Sequence, residues 1–295
     1  MLWYKMPNGE KNFGDELGPY IVEKLSGSDV KYVPIINNFF KTIVIYIYGL
    51  IKGDYSLKDA SNVLYSLNKE GILVTAGSII TLNRKCSSLI WGAGLMNKND
   101  MIINANFYAV RGKYTLDKIK SLGYKIPKAI GDPGLLLPLV YNPLVSKTYK
   151  IGVIPHYVHY DNTKALIKSD DILVINLLDD LEKVVRDIKS CECTLSSSLH
   201  GIIESHAYGV PCVWINLPGS TLSGDNIKFF DYFSSINIEN YSPINIDNWD
   251  NLNVEKTTAI VLNNCDINAI RDEIKIIQKG LLVNAPFHIL DKYNY

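Results

Sequence analysis

Short runs of apolar and β-branched residues recur along the chain, separated by segments with helical periodicity. The clearest runs are 71–76, 88–91, 107–110, 150–154, 171–176, 193–196 and 211–215. Near-continuous apolar strands joined by helices are typical of parallel sheets that are covered on both faces. The pattern therefore predicts an α/β protein with two series of parallel strands.

The helical segments carry apolar residues at spacings of three and four. They are predicted at 17–25, 113–122, 181–188 and 266–282. The first two are followed by Gly27 and Gly123, the residue type that most often ends a helix. The last is an amphipathic helix near the end of the chain.

A polar, proline-bearing stretch at 141–149 separates the two strand series. Such composition is typical of an interdomain linker. We therefore expect two Rossmann-like domains whose parallel sheets face each other across a cleft. The first domain is predicted at 1–142 and the second, which includes the C-terminal helix, at 143–295.

Charge and cysteine content narrow the classes of function. The 30 basic residues balance 30 acidic ones, which argues against nucleic-acid binding, so a few local cations must hold any anionic ligand. Cys191 and Cys193 lack the second Cys/His pair of a structural zinc site, so we expect reduced thiols and no bound metal. Together with a strand-like start at 1–6, in place of a secretion signal, this predicts a cytoplasmic protein.

The most apolar stretch, 43–51, has nine residues, whereas a bilayer crossing needs about 20. A buried strand or helix turn is the simpler interpretation. The alternative is a shallow contact with the inner face of the membrane, aided by Phe39, Phe40 and Lys41.

Parallel sheets bind ligands where their strands end and helices begin. The strongest candidate is 195–204, in which a strand ends in three serines and leads into a helix with His200 and Gly201 in its first turn. Free N–H groups and hydroxyls at such a turn suit a phosphate or carboxylate, and His200 could transfer a proton. The alternative is that the serines only cap the helix and His200 packs inside it.

A second candidate is 12–19, where Asp15 and Glu16 precede a helix with Pro19 in its first turn. Asp15 is either the helix N-cap or a carboxylate that receives a proton from a sugar hydroxyl. Glycine loops follow two further strands, at Gly77–Ser78 and at 92–94. Tight turns explain these loops as well as ligand approach does, and they lack a complete dinucleotide fingerprint.

Cations and histidines complete the set of candidates. Arg111 ends a strand, and its guanidinium suits a phosphate or carboxylate, with a surface salt bridge as the alternative. Lys228 and Asp231 share a face of one predicted helix. This helix either closes over a substrate, or it is an ordinary surface helix with one ion pair. His156 and His159 have a spacing that suits metal, but without an obvious third ligand we expect a neutral His156 lining the cleft.

In order and spacing these elements resemble the polysaccharide pyruvyl transferase family. The matching segments are 12–15, 77–80, 91–94, 110–113, 131–133, 154–156, 197–201, 208–211 and 228–232. The resemblance implies a fold like the two-domain glycosyltransferase B class and phosphoenolpyruvate as pyruvate donor. The acceptor would be a surface polysaccharide, such as exopolysaccharide or capsule, or its lipid-linked sugar precursor, and the product a pyruvate ketal.

The resemblance also implies roles for single residues. His200, Asp15 and Arg111 are the predicted catalytic residues, with His200 on the donor phosphate, Asp15 as base for the acceptor hydroxyl, and Arg111 and Lys228 as charge clamps. The predicted donor site in the second domain comprises Ser197, Ser198, Leu199, Gly201, Lys228 and His156. The predicted acceptor site in the first comprises Glu16, Gly77, Ser78, Gly92 and Gly94. No metal or cofactor is expected.

One position departs from the family pattern. Many members have an arginine two residues before the histidine, where this chain has Ser198. Either another cation supplies that charge or the donor differs. The alternatives are therefore a nucleotide-sugar glycosyltransferase of the same fold and a glycan-assembly protein without catalytic activity.

Overall fold

The computed structural model describes most of the chain. The described residues are 1–5, 10–33, 44, 47–48, 50–51, 71–83, 86–217, 224–239, 241–246, 249 and 253–293. Most of 39–51 and the loop at 218–223 therefore lie outside them. Of the apolar stretch, Val44, Ile47, Tyr48 and Ile51 are exposed. A membrane contact by this stretch stays a prediction.

The first sheet is parallel and follows the order of the chain. Its strands are β1 (Leu73–Thr75), β2 (Leu89–Trp91), β3 (Asn106–Val110) and β4 (Ala129–Ile130), in the order β1-β2-β3-β4. Leu2 adds a parallel bridge to Val74 in β1. The apolar runs predicted the first three strands, whereas β4 is too short to show a pattern.

The second sheet is also parallel, but its strand order reverses once. Its strands are β5 (Tyr149–Ile154), β6 (Ile172–Val174), β7 (Cys191–Ser196), β8 (Cys212–Asn216) and β9 (Ile244–Asn245), in the order β6-β5-β7-β8-β9. This is the order 2-1-3-4-5 of doubly wound folds. Two parallel sheets confirm the predicted α/β class, while the glycosyltransferase B arrangement and the division at 142 stay predictions.

Helices cover these sheets. They are α1 (Phe13–Ser26), α2 (Lys113–Ser121), α3 (Leu137–Val140), α4 (Tyr160–Leu166), α5 (Leu181–Lys189), α6 (Leu199–Ala207), α7 (Ile227–Ser235), α8 (Val254–Asn264) and α9 (Ile267–Val283). In α5 the predicted face is buried, and Asp180 caps the helix by accepting from the Glu182 N–H. No helix among the described residues is long and apolar enough to cross a bilayer.

The start of α1 corrects two predictions. Asn12 is the N-cap, because its side chain accepts from the Gly14 N–H, so Asp15 is not needed for capping. Pro19 lies inside the helix and not in its first turn, and without an N–H it leaves the Asp15 carbonyl without a helical donor. Asp15 therefore stands in the first turn with its side chain available for another role.

Helix α9 connects the two halves of the molecule. The Trp91 indole N–H at the end of β2 donates to the Leu281 carbonyl at 3.0 Å, and the Gln278 amide donates to the Leu135 carbonyl at 2.7 Å. Gly131, directly after β4, lies so close to α9 that a Cβ there would be 2.2 Å from the Ile277 side chain. The helix thus packs on the first sheet although it follows the second in the chain.

Candidate active site

The second sheet has its switch point between β5 and β7, and the serine turn follows β7 there. Strand order reverses between these two strands, which opens a crevice at their carboxyl ends. The Ser197 hydroxyl accepts from the His156 N–H at 3.0 Å, tying the two strand ends together. Ser196, the first of the three serines, accepts from the Ser198 backbone N–H at 3.0 Å.

The first turn of α6 leaves donors available. Ser198 is the N-cap by its extended backbone, but its hydroxyl makes no capping hydrogen bond. The first helical bond runs from Ile202 to the Ser198 carbonyl, so the backbone N–H groups of Leu199, His200 and Gly201 have no acceptor among the described residues. Three such groups at a helix start form an anion-binding site.

His200 brings elements of both halves together. A Cβ on Gly14 in α1 would lie 2.2 Å from the imidazole Nδ1, and one on Gly77 after β1 would lie 3.9 Å from Cε1. On the other side, Nε2 lies 3.9 Å from Asp132 Oδ2. Only glycine fits at position 14, since any side chain would collide with the ring.

The surroundings of His200 favour its neutral form. Burial lowers its pKa, the charges of Arg111 and Lys228 act in the same direction, and Asp132 partly opposes them. An anion bound at the start of α6 would favour the protonated form. His200 can therefore take up a proton as an anionic ligand binds.

Lys228 is the cation that the site leaves uncompensated. It is 7% exposed, and no carboxylate pairs with it in the part of the chain that the structure describes. Burial, followed by the charge of Arg111, lowers its pKa to about 8. A mostly buried ammonium without a counterion is costly unless a ligand supplies the negative charge.

His156 stands beside this ammonium. Burial, followed by the charges of Lys228 and His159, lowers the pKa of His156 to about 4. This lowered pKa favours the neutral form that the sequence predicted, while the place of His156 in a ligand-binding cleft stays a prediction. Two neutral imidazoles, an ammonium and a helix start can bind an anion of several charges without a metal.

The surroundings of Arg111 differ from those that the sequence predicted. It is fully buried, and its Nε pairs with Asp231 at 3.1 Å. Its other donors reach the Ser78 hydroxyl at 2.7 Å and the Leu95 carbonyl at 2.6 Å. The alternative of a surface salt bridge is therefore wrong, because the pair is buried. Binding of an anionic ligand by Arg111 stays a prediction. Most of the hydrogen-bond donors of its guanidinium are already bonded to protein groups.

The glycines of the predicted acceptor site have packing reasons of their own. A Cβ on Gly94 would lie 2.5 Å from the Arg111 Cζ, and one on Gly92 would lie 2.1 Å from the Pro133 ring. Gly92 and Gly77 also have positive φ, at 87° and 102°. Close approach to the protein thus explains these glycines, and their contact with an acceptor stays a prediction.

Asp15 and Glu16 face different surroundings. Burial, followed by the charge of Glu16, raises the pKa of Asp15 to about 7, which outweighs the helix start that favours a carboxylate. Glu16 lines a groove of about 510 Å³ between α1 and α5, with Tyr20 and Glu182. Positions 14 and 16 lie about 200° apart around a helix, so this groove is turned away from His200.

We expect Asp15→Asn to stabilise the protein above neutral pH. Because the folded-state pKa is raised, the stability that Asp15 contributes is complete below about pH 4 and is lost as the pH rises to about 7. Each unit in that window costs about 1.4 kcal/mol of unfolding free energy at most. Melting temperatures of both proteins from pH 4 to 8 test this, and a gap that does not widen with pH would contradict it.

Two residues near His200 were missed by the sequence analysis. Asp132 belonged to a recognised motif but was given no role, and Glu204 was not singled out. Glu204 lies four residues after His200, so helical spacing alone would have placed both on one face of α6. His206, by contrast, has a structural role, since its Nδ1 lies 2.9 Å from the Tyr232 hydroxyl.

Comparison with known proteins relates this chain to one family and to two individual proteins. A sequence model of the family described as polysaccharide pyruvyl transferase matches residues 12–218. An uncharacterized protein of Acanthamoeba polyphaga mimivirus is 34% identical over 225 residues, which cover 73% of this chain and 74% of that protein. A solved structure of an uncharacterized Klebsiella pneumoniae protein aligns with a TM-score of 0.36 at 12% identity, over 84% of this chain and 92% of that one.

The matched region includes Asn12, the glycine loops, Arg111, Asp132, His156 and the serine turn with His200. It ends before Lys228, which the fold brings beside those residues. The matched segment covers well over half of the chain. The chain therefore belongs to the polysaccharide pyruvyl transferase family.

Proposed function

We propose that this protein transfers pyruvate from phosphoenolpyruvate to a sugar of a surface polysaccharide or of its lipid-linked precursor, forming a pyruvate ketal. Family membership supports the reaction class. The observation that carries the proposal is the uncompensated, mostly buried Lys228 beside the start of α6. A small ligand with several negative charges fits that combination best.

The donor site is proposed at the serine turn. Phosphoenolpyruvate carries close to three negative charges, and the N–H groups of 199–201 suit its phosphate. Lys228 supplies the nearby positive charge in place of the arginine that other members have at the position of Ser198. Ser197 and His156 line the same turn, where their mutual hydrogen bond fixes the two strand ends.

The chemistry needs one proton donor and one base. A sugar hydroxyl bonds to the central carbon of the donor and gives its proton to Asp15, while His200 delivers a proton to the methylene carbon. Phosphate then leaves with the electron pair of its C–O bond. A second hydroxyl of the same sugar bonds to that carbon and loses its proton, which closes the ketal. A carboxyl with a pKa of about 7 is suited to accept and release protons near neutral pH.

The acceptor is proposed to approach from the first sheet. Gly77 and Ser78 follow β1 on the side of His200, and Gly92 and Gly94 follow β2. Under this proposal the acceptor contacts lie in the predicted first domain, at 1–142, and the donor contacts in the second. A cytoplasmic location suits both substrates, since phosphoenolpyruvate is a metabolite of the cell interior.

Thermal shift measurements test the donor. We expect phosphoenolpyruvate at 100 times its dissociation constant to add about 2.7 kcal/mol of stability, a rise of several degrees in melting temperature. The effect should be absent in Lys228→Met and retained in Lys279→Met, which removes an exposed lysine of α9. A shift with UDP- or GDP-sugars but none with phosphoenolpyruvate would identify a glycosyltransferase instead. No shift with either class would favour a glycan-assembly protein.

A further inference from the structure

Two carboxyl groups are buried behind His200. Asp132 and Glu204 are both 0% exposed. Asp132 Oδ1 accepts from the Gly134 N–H at 2.9 Å, while Oδ2 has no hydrogen-bond partner among the described residues and faces His200 Nε2. Both oxygens of Glu204 lack a partner there as well.

The two carboxyls are neighbours. A Cβ built on Gly134 would lie 2.4 Å from Glu204 Oε1 and 3.3 Å from Asp132 Oδ1, so both oxygens border the same glycine. No lysine or arginine pairs with either group in the part of the chain that the structure describes. Two buried carboxylates at this separation do not both ionise at neutral pH, so the pair retains one proton.

Of the two carboxyl groups, Glu204 is the one that retains the proton. Burial raises its pKa well above the ordinary value, and the negative charge of Asp132 raises it further. Asp132 has what Glu204 lacks, an N–H donor from Gly134 and an imidazole opposite its second oxygen. These contacts stabilise a charge on Asp132 in preference to Glu204.

We propose that Asp132 is a positioning residue that accepts the Nε2–H of His200 and thereby makes Nδ1 the atom that exchanges protons. Glu204 keeps the shared proton, so that Asp132 alone is charged. The 3.9 Å gap between Asp132 and His200 shortens to a hydrogen bond when an anionic ligand protonates the ring, since such contacts are often long in unliganded sites. Nδ1 points to the start of α1, where Gly14 leaves room for it.

The consequence for catalysis rests on the proposed function. His200 would enter the step as imidazolium, give the Nδ1 proton to the methylene carbon, and remain as the neutral Nε2–H form held by Asp132. No electrons are exchanged with any other group. The charged or titratable groups around the ring are Asp132 after β4, Arg111 after β3, Lys228 on α7, Asp15 beside Gly14 on α1, and Glu204 on its own helix.

Nitrogen NMR of labelled histidine tests the assignment without any substrate. Asp132→Asn keeps an oxygen that can accept from Gly134 but removes the charge, whereas Glu204→Gln imitates a protonated acid and serves as the matched control. His200→Gln identifies the signals of this ring among the five histidines. We expect the wild type to show the Nε2–H tautomer, Asp132→Asn to lower the His200 pKa, and Glu204→Gln to leave tautomer and pKa unchanged.

Three results would overturn the proposal. They are a wild-type ring protonated on Nδ1, an unchanged His200 pKa in Asp132→Asn, and a pKa drop in Glu204→Gln as large as that in Asp132→Asn. The first needs only the wild type and the His200→Gln reference, so it decides the matter even if Asp132→Asn does not fold.

Turnover gives the second readout. Asp132→Asn should lower kcat for pyruvyl transfer by about 10²-fold with little change in KM for phosphoenolpyruvate, because it acts through His200 and not on the donor. Glu204→Gln should retain turnover near the wild-type rate, and a loss as large as that of Asp132→Asn would contradict the assigned proton. If the wild type shows no transfer while the NMR results hold, the proposed function fails and the pairing of Asp132 with His200 stands.

Discussion

Replacing Lys228 with methionine is expected to lower pyruvyl transfer by about 10²–10³-fold, the typical cost of removing one donor to transition-state charge. The same change should not destabilise the protein. A mostly buried ammonium without a carboxylate partner opposes folding, and a methionine of similar length fills its space without a charge. Loss of activity together with equal or higher stability is a combination that a purely structural residue does not produce.

The gain in stability should depend on pH in a defined direction. Burial lowers the pKa of Lys228 to about 8, from 10.5 in the unfolded chain, so the penalty is complete below pH 8 and disappears as the pH rises to about 10.5. The advantage of Lys228→Met is therefore largest near neutral pH, at most about 3 kcal/mol, and vanishes in alkali. Turnover and urea unfolding at pH 7 and 10 measure both effects, with Lys279→Met as the exposed control.

His200→Ala should reduce turnover by a similar factor, since the ring is the proposed proton donor. His200 and Lys228 lie near enough for their charges to interact, so the effects of the two losses are not expected to multiply. A variant of either residue that keeps full pyruvyl transfer would remove that residue from the proposed mechanism.

Breaking the buried ion pair between Arg111 and Asp231 is expected to cost about 3–5 kcal/mol of unfolding free energy in Asp231→Ala, because it leaves a guanidinium uncompensated in the core. Asp231 also accepts from the Thr115 N–H at 2.9 Å and from its hydroxyl at 2.6 Å, so two further hydrogen bonds are lost. The exposed pair Lys275–Asp272 is the control, and Asp272→Ala should cost less than about 1 kcal/mol.

A double variant separates structure from ligand binding. Arg111→Met with Asp231→Leu replaces both charges by apolar groups and should recover much of the stability that Asp231→Ala loses. If it folds and still gains stability from phosphoenolpyruvate, Arg111 is not a clamp on the donor. If the ligand effect disappears in a folded double variant, the predicted clamp is supported. A single Asp231→Ala as stable as the wild type would contradict the structural role.

Local features of this chain were predictable, and distant partners were not. The serine turn before His200 could be located because an apolar strand, three serines and a helical pattern follow one another within 193–204. The partner of Arg111 lies 120 residues further along the chain, and nothing near position 111 indicates it. The strand β9 was missed because two residues are too few to show alternation.

Burial was the other property that the sequence could not supply. The sequence predicted Asp15 as a candidate base, but its raised pKa depends on the elements that cover it. Asp132 and Glu204 look like ordinary acidic residues in the sequence, and only the packing of α6 against 132–134 shows that they share one buried space. An acidic residue in a sequence indicates its protonation behaviour only where the local pattern also predicts whether its side chain is buried.

The contact of α9 with the first sheet has a consequence during synthesis. Trp91 is translated 190 residues before Leu281, the residue whose carbonyl it contacts in the finished fold. Until α9 leaves the ribosome, the surface of the first sheet that this helix covers stays open to water. A nascent chain therefore exposes apolar area for most of its translation, and such intermediates are the ones that bind chaperones or aggregate.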